Sequence, residues 1–264
     1  MAAKRILLTV SYDGTAYCGW QWQENGPSIQ AELEKALEQA LGVFTRVTGA
    51  SRTDAGVHAL GQRAHFDTVS RIPPDKYPFV LNRFLPTDIR VLEGEEVAPD
   101  FHARFMARGK WYTYRIHNAP QPSALYRNLT AHIPVPLDDN AMHQAAQQLL
   151  GTHDFAAFAA AGGSAKTTIR TIDFVSVQRQ GTEITPRIHG NAFLYNMVRI
   201  IAGTLVGIGQ GKLSPDCIPQ ALETGNRLLL GVTAPACGLE LTRVEYAHEL
   251  GETDQLFSGI IVTE

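Results

Sequence analysis

The chain of 264 residues is 44% hydrophobic and 19% charged, and 23 Lys and Arg against 26 Asp and Glu leave a net charge of -3. That composition supports a buried core and excludes compositional disorder and a surface coated throughout in positive charge, while leaving room for a local basic groove. Three widely spaced cysteines, Cys18, Cys217 and Cys237, exclude a disulfide framework and a CxxC metal knuckle and fit a reducing, cytoplasmic setting. The first residues lack the long apolar run of a secretory signal. The most apolar later stretch, 193–209, contains Asn196 and Arg199 and is too short to span a bilayer. A soluble intracellular protein without a membrane partner is expected.

In chain order, Ile6 to Val10 is β-branched and apolar enough for a strand, and Asp13-Gly14 marks a turn. Ser28 caps a helix whose Ile29, Leu33, Ala36, Leu37 and Ala40 share one face, and Gly42 ends it. Val43 to Ala50 reads as a strand leading into a polar loop, Ser51 to His58, and Gln62 to Asp67 alternates as a half-buried strand does. A short helix is predicted over Tyr77 to Leu85, then strands over Ile89 to Val97 and the aromatic Trp111 to Ile116. Asp138 starts a second amphipathic helix ending at Gly151. Strands follow at about Thr171 to Arg179 and Glu183 to His189, joined through Gln180-Gly181. Helices over Leu194 to Gly207 and Cys217 to Glu223 precede a last strand, Leu239 to Tyr246. This irregular alternation predicts an α+β fold with largely antiparallel pairing rather than a doubly wound parallel sheet. At about 150 residues per domain the length allows nearly two units, and the Pro-containing stretch from Ala119 to Leu125 is the expected seam.

Several catalytic signatures fail. Gly207-Ile-Gly-Gln-Gly-Lys212 lacks the spacing and the following Ser or Thr of a phosphate loop, and reads as a helix end. Nine histidines show no HExxH, and neither a GxSxG elbow nor a cysteine with an adjacent base is present. What stands out is Arg52-Thr-Asp54-Ala-Gly-Val-His58 in the polar loop. In an extended stretch residues two apart face one side, so Arg52 is expected to hold Asp54 in its charged form. At about 4 Å and an effective dielectric near 20, such a pair is worth roughly 4 kcal/mol before desolvation. An ionised, oriented carboxylate suits nucleophilic attack on a sugar or base, whereas the plainer reading is a surface ion pair that stabilises a turn.

Five ordered blocks over about 230 residues raise the first reading: Tyr12-Asp-Gly-Thr-Ala-Tyr-Cys-Gly-Trp-Gln-Trp-Gln23; Arg52 to His58; Asp100-Phe-His-Ala-Arg-Phe105 followed by Lys110-Trp-Tyr-Thr-Tyr114; Asn191 to Gly203; and Thr233-Ala-Pro-Ala236 with Gly238-Leu239. Together they resemble the anticodon-stem class of tRNA pseudouridine synthases. Ser51 is one departure, since that family usually has Gly before the arginine.

The resemblance implies two ferredoxin-like α/β subdomains, 1–120 and 121–264, sharing a largely antiparallel sheet with a central cleft. It implies a homodimer holding tRNA across both subunits and isomerising uridines at roughly positions 38 to 40 of the anticodon stem-loop, with neither metal nor cofactor. By the same resemblance Asp54 is the nucleophile, attacking C1′ or the uracil ring. Tyr112 lies beside the target base, with Tyr114 on the same strand face as its rival. Arg199 pairs with the catalytic carboxylate, and Arg52 takes the space left by the extruded nucleotide.

The residues themselves suit RNA. Phe101 to His117 carries Arg104, Arg108, Lys110 and Arg115 among aromatic residues without an acid, and Ile184 to Pro215 carries Arg187, Arg199 and Lys212, again without one. Both segments are expected to line a single positive cleft. A catalytically silent RNA-binding module of the same fold is the alternative. A sugar-phosphate hydrolase lacks a second acid near Asp54 in sequence.

Overall fold

Apolar β-branched residues at the N-terminus form β1 (Lys4–Tyr12) in the computed structural model, which describes residues 3–247 and residue 249. Next comes α1 (Ile29–Leu41). Ser28 accepts a hydrogen bond from the Ala31 N–H, and Gly42 ends the helix in the left-handed region at φ 73°. Ile29, Leu33, Ala36 and Leu37 are buried, as their spacing requires.

The expected strand over 43–50 shrinks to β2 (Thr48–Gly49). Val43 and Phe44 are exposed. The reason is local: Glu34 of α1 accepts the Val47 N–H (3.1 Å) and Gln30 donates to the Val47 carbonyl (3.2 Å), so helix side chains replace strand pairing there. β3 (His58–Thr68) is longer than expected and buried on both faces rather than half-buried, with Gln62, Arg63 and His65 inside. α2 (Tyr77–Leu81) is shorter than predicted. Asn82, directly after it, bonds both the N–H (2.9 Å) and the carbonyl (2.8 Å) of Val91 in β4 (Ile89–Val97).

The aromatic segment forms β5 (Ala107–Tyr114), breaks at Arg115, and resumes as β6 (Ile116–His117), which pairs with β7 (Ala131–His132). Asp138 caps α3 (Asp139–Ala146), and β8 (Gly151–Asp154) precedes the hairpin of β9 (Ile169–Gln180) and β10 (Glu183–Gly190). α4 (Met197–Gly209) starts three residues later than predicted because Asn196 adopts φ 59° and holds the chain out of the helix. α5 (Cys217–Thr224) and β11 (Leu239–Tyr246) complete the described elements.

All these strands join one sheet, running β4-β1-β3-β11-β5-β10 through its centre, with β9 and β8 beyond β10. Pairing is antiparallel except for β6 with β7 and β3 with β11. The fold is thus α+β with a mostly antiparallel sheet. β11, from the end of the chain, sits between β3 and β5, and its parallel register with β3 (Glu240 opposite His58) brings the entries to both strands together at one end. The loop before β3 and the segment before β11 therefore meet. Among the described residues, no helix is long and apolar enough to cross a membrane.

That second segment is seated by Gly203 of α4, where a Cβ would lie 1.8 Å from the Val232 carbonyl oxygen. Gly203→Ala is expected to destabilise the fold by about 1–3 kcal/mol, measured as a lower midpoint in urea unfolding, because the backbone of 231–234 must shift.

Candidate active site

The polar loop 51–57 is held from beneath by β3. Gln62, wholly buried, accepts from the Ser51 N–H (3.1 Å) and donates to the Ser51 carbonyl (2.7 Å). The Tyr12 hydroxyl shares a hydrogen bond with Thr53 Oγ1 (2.7 Å), and the Trp20 N–H donates to the Thr53 carbonyl (3.1 Å). Gly19, at φ 98°, fits because a Cβ there would stand 2.6 Å from the Thr53 oxygen. Gly56, at φ 75°, closes the turn, within which the Val57 N–H bonds the Asp54 carbonyl (3.1 Å).

This turn aims Asp54 at the first turn of α4. Asp54 Oδ2 lies 3.4 Å from Arg199 Nη1, and the two side chains are 17% and 18% exposed. Arg199 is itself fixed. Its Nε donates to the Ala234 carbonyl (2.8 Å), its Nη1 to Asn196 Oδ1 (2.9 Å), and its own carbonyl accepts from the Ala234 N–H (3.0 Å). Burial pushes the Asp54 carboxyl above the usual carboxylate range, and the Arg199 guanidinium pulls it part of the way back.

Arg52 does not hold Asp54. Its guanidinium turns outward and donates to Ser164 Oγ (2.7 Å). The expected pairing assumed an extended stretch, but residues 51–57 form a tight loop, so positions two apart do not share a face.

Tyr112 is buried on β5, opposite Ile188 of β10 and Leu241 of β11. Its ring meets Phe193 edge-on at 5.1 Å. Burial pushes its phenol up to about 12; the Ser51 hydroxyl acts against that rise and the Asp54 charge adds to it. Tyr114 donates its hydroxyl hydrogen to the Pro235 carbonyl (2.8 Å), beside the Ala234 that holds Arg199.

The cations divide. Lys110 donates to the Ala50 carbonyl (3.0 Å) at the root of the loop, and burial together with Arg104, Arg170 and Arg52 pushes it down to about 8. Arg104 is in turn lowered by burial and by Arg52. Arg52, Arg104, Lys110 and Arg170 thus form one cationic cluster, and none of them forms an ion pair with an acid among the described residues. Arg108 is exposed, two residues before Lys110 on β5.

Arg115 does not belong to the cluster, because Glu183 (2.9 Å) and Glu240 (3.8 Å) take up its charge. Lys212 does not either. It is exposed beyond the C-terminal end of α4, and the ten helical steps from Arg199 to Gly209 already span about 15 Å. Arg187 lies 6.0 Å from the Trp111 ring instead. An acid-free stretch of sequence is therefore not an acid-free surface. Arg170, at the start of β9, is the cluster member that sequence reasoning missed, since no motif or spacing marks it. Among the described residues no three His, Cys, Asp or Glu side chains converge as metal ligands.

The family model of tRNA pseudouridine synthase matches residues 8–106 and 145–247, which include the catalytic-loop candidate, β11 and the start of α4. The chain belongs to this family. The tRNA pseudouridine synthase A of Acetivibrio thermocellus is 50% identical over 92% of this chain and 100% of that protein. The protein of the same name from Halalkalibacterium halodurans is 49% identical over 89% of this chain and 90% of that one. A crystal structure of a Cbf5-Nop10-Gar1 complex aligns over 89% of this chain and 48% of that one, with a TM-score of 0.38 and 13% identity, too loosely to support an argument. As a family member the chain is an isomerase that converts uridine to pseudouridine in tRNA.

The lowered Lys110 has a consequence for stability. Between its folded value of about 8 and the ordinary lysine value, the unfolded chain binds more protons than the folded one, so the contribution of Lys110 to stability rises with pH in that window. Lys110→Met is expected to flatten this rise. The Tm of the variant minus that of the wild type should therefore fall between pH 7 and pH 10, as followed by thermal unfolding across that range.

Proposed function

We propose that this isomerase acts on uridines of the tRNA anticodon stem-loop, roughly positions 38 to 40, with Asp54 as nucleophile, working as a cytoplasmic homodimer without a metal or cofactor. The observation that carries the reading is the half-sequestered Asp54–Arg199 pair, placed where the entries to β3 and β11 meet and bordered by Tyr112. Burying a carboxylate and a guanidinium together has a desolvation cost that a purely structural turn does not require.

In this mechanism Asp54 attacks the extruded nucleotide, at C1′ or at the uracil ring, and the N1–C1′ bond breaks. The freed uracil turns, C5 bonds to C1′, the bond that Asp54 had made breaks and returns its carboxylate, the C5 proton is lost and N1 gains one. Atoms and electrons balance within the nucleotide itself. Arg199 keeps Asp54 anionic in its buried position and orients it. Tyr112 stacks beside the base or relays its proton. Arg52, directed outward from the catalytic loop, fills the place of the extruded nucleotide, offsetting part of an extrusion cost of roughly a few kcal/mol. Arg104, Arg108, Lys110 and Arg170 contact phosphates flanking the target.

The decisive experiment follows tritium released from tRNA labelled at uridine C5. Asp54→Asn is expected to lower release by at least about 1,000-fold while still binding tRNA. Release that persists in Asp54→Asn overturns the nucleophile reading, and a wild-type protein that binds tRNA and releases nothing leaves a silent binding module. A second expectation concerns pH. The acid limb of kcat/KM should lie above the range of an ordinary carboxylate, and Arg199→Met should move it further up, because burial then acts without the opposing charge. A limb that stays in place in the Arg199 variant assigns that titration to another group.

A further inference from the structure

The loop between β4 and β5 carries an aromatic side chain in an unusual setting. Its backbone is pinned from several sides. Tyr246 donates its hydroxyl hydrogen to the Ala103 carbonyl (2.7 Å), the Ala103 N–H bonds His65 Nδ1 (3.2 Å), and Arg5 donates to the Phe101 carbonyl (2.6 Å). Phe101 and Ala103 are buried. Phe105, two residues on, is nevertheless 75% exposed.

His102 prepares this ring. Its Nδ1 accepts the N–H groups of Arg104 (3.2 Å) and Phe105 (3.4 Å), which fixes the turn, and its imidazole lies against the Phe105 ring with centroids 4.2 Å apart at 33°. Burial and the nearby Arg5 charge lower the His102 pKa, in keeping with an Nδ1 that accepts these two N–H groups. One side of Phe105 is thereby backed, and the Arg104 guanidinium stands 5.8 Å from its centroid.

We propose that Phe105 is a stacking platform for an unpaired nucleobase of the bound tRNA, beside the Arg52–Arg104–Lys110–Arg170 cluster that receives the adjoining phosphates. The proposal rests on the RNA-contacting role given to that cluster under the proposed function. Charge complementarity selects the occupant. A flat apolar face next to cations that lack acid partners among the described residues matches a base attached to its phosphate, as in single-stranded nucleic-acid grooves. The contrast with Phe79 makes the point. Phe79 is 72% exposed with Lys76 over its ring, but Lys76 already has an acid partner in Asp75 at 2.8 Å.

Binding of a tRNA transcript to the wild type and to Phe105→Ala, Phe105→Leu and Phe105→Trp, across a salt series, tests the idea. Stacking predicts a dissociation constant about 5- to 100-fold weaker for Ala, little recovery for Leu, near wild-type binding for Trp, and an unchanged salt slope in all four. Ala or Leu binding within twofold of the wild type overturns it, since exposed apolar area or nothing is then at work. A slope reduced by about one charge in the Ala variant also overturns it, by assigning the loss to a displaced Arg104. These outcomes are independent of Asp54: absent tritium release with intact, Phe105-dependent binding rejects the nucleophile and retains the platform.

Discussion

The arrangement depends on one ion pair between residues 145 positions apart, Asp54 and Arg199, in a setting that is neither open water nor dry core. Full exposure would leave the carboxylate hydrated and weakly nucleophilic, and full burial would protonate it. Burial raises the Asp54 pKa and Arg199 restrains the rise, so the group is partly stripped of water and yet charge-compensated. The geometry around it serves to hold two side chains from opposite halves of the chain within 3.4 Å.

That holding is done by hydrogen bonds and close backbone contacts more than by apolar packing. Gln62 grips both polar groups of Ser51, and Tyr12 grips Thr53. On the other side Ala234 bonds Arg199 through both its N–H and its carbonyl, while Pro235 receives Tyr114. Glycines allow these approaches: a Cβ at Gly14 would stand 2.0 Å from the Val57 oxygen, much as at Gly19 with Thr53. The sequence blocks at 12–23, 52–58, 191–203 and 233–239 are thus parts of one assembly around the loop, meeting at the parallel junction of β3 and β11.

Around this centre the charge is graded. Burial, together with the charges of Arg104, Arg170 and Arg52, drives Lys110 down to about 8. Elsewhere the same sheet neutralises its cations at once, as with Arg115 between Glu183 and Glu240. A chain with net charge -3 can therefore present a strongly cationic surface at one place only because tertiary structure sorts acids away from it.

The amino-acid sequence by itself determined the elements that rest on local periodicity and local capping: α1 between Ser28 and Gly42, the bounds of β4 and β11, the β9–β10 hairpin, the α+β class, and the ordered blocks that mark the family. These are written within a few residues of one another, where spacing and side-chain type suffice. The ordered blocks already paired Arg199 with Asp54 through the family resemblance. Only the tertiary structure decided that Arg52 turns away from Asp54, that Arg170 joins the cations while Arg115 and Lys212 leave them, and that residues 43–47 are tied to α1 rather than to a strand. In each case the deciding partner lies beyond the reach of local periodicity, from 13 residues away at Glu34–Val47 to 145 at Asp54–Arg199. Charge and hydrogen-bond matching act through space, and linear order holds no record of which groups the sheet brings together.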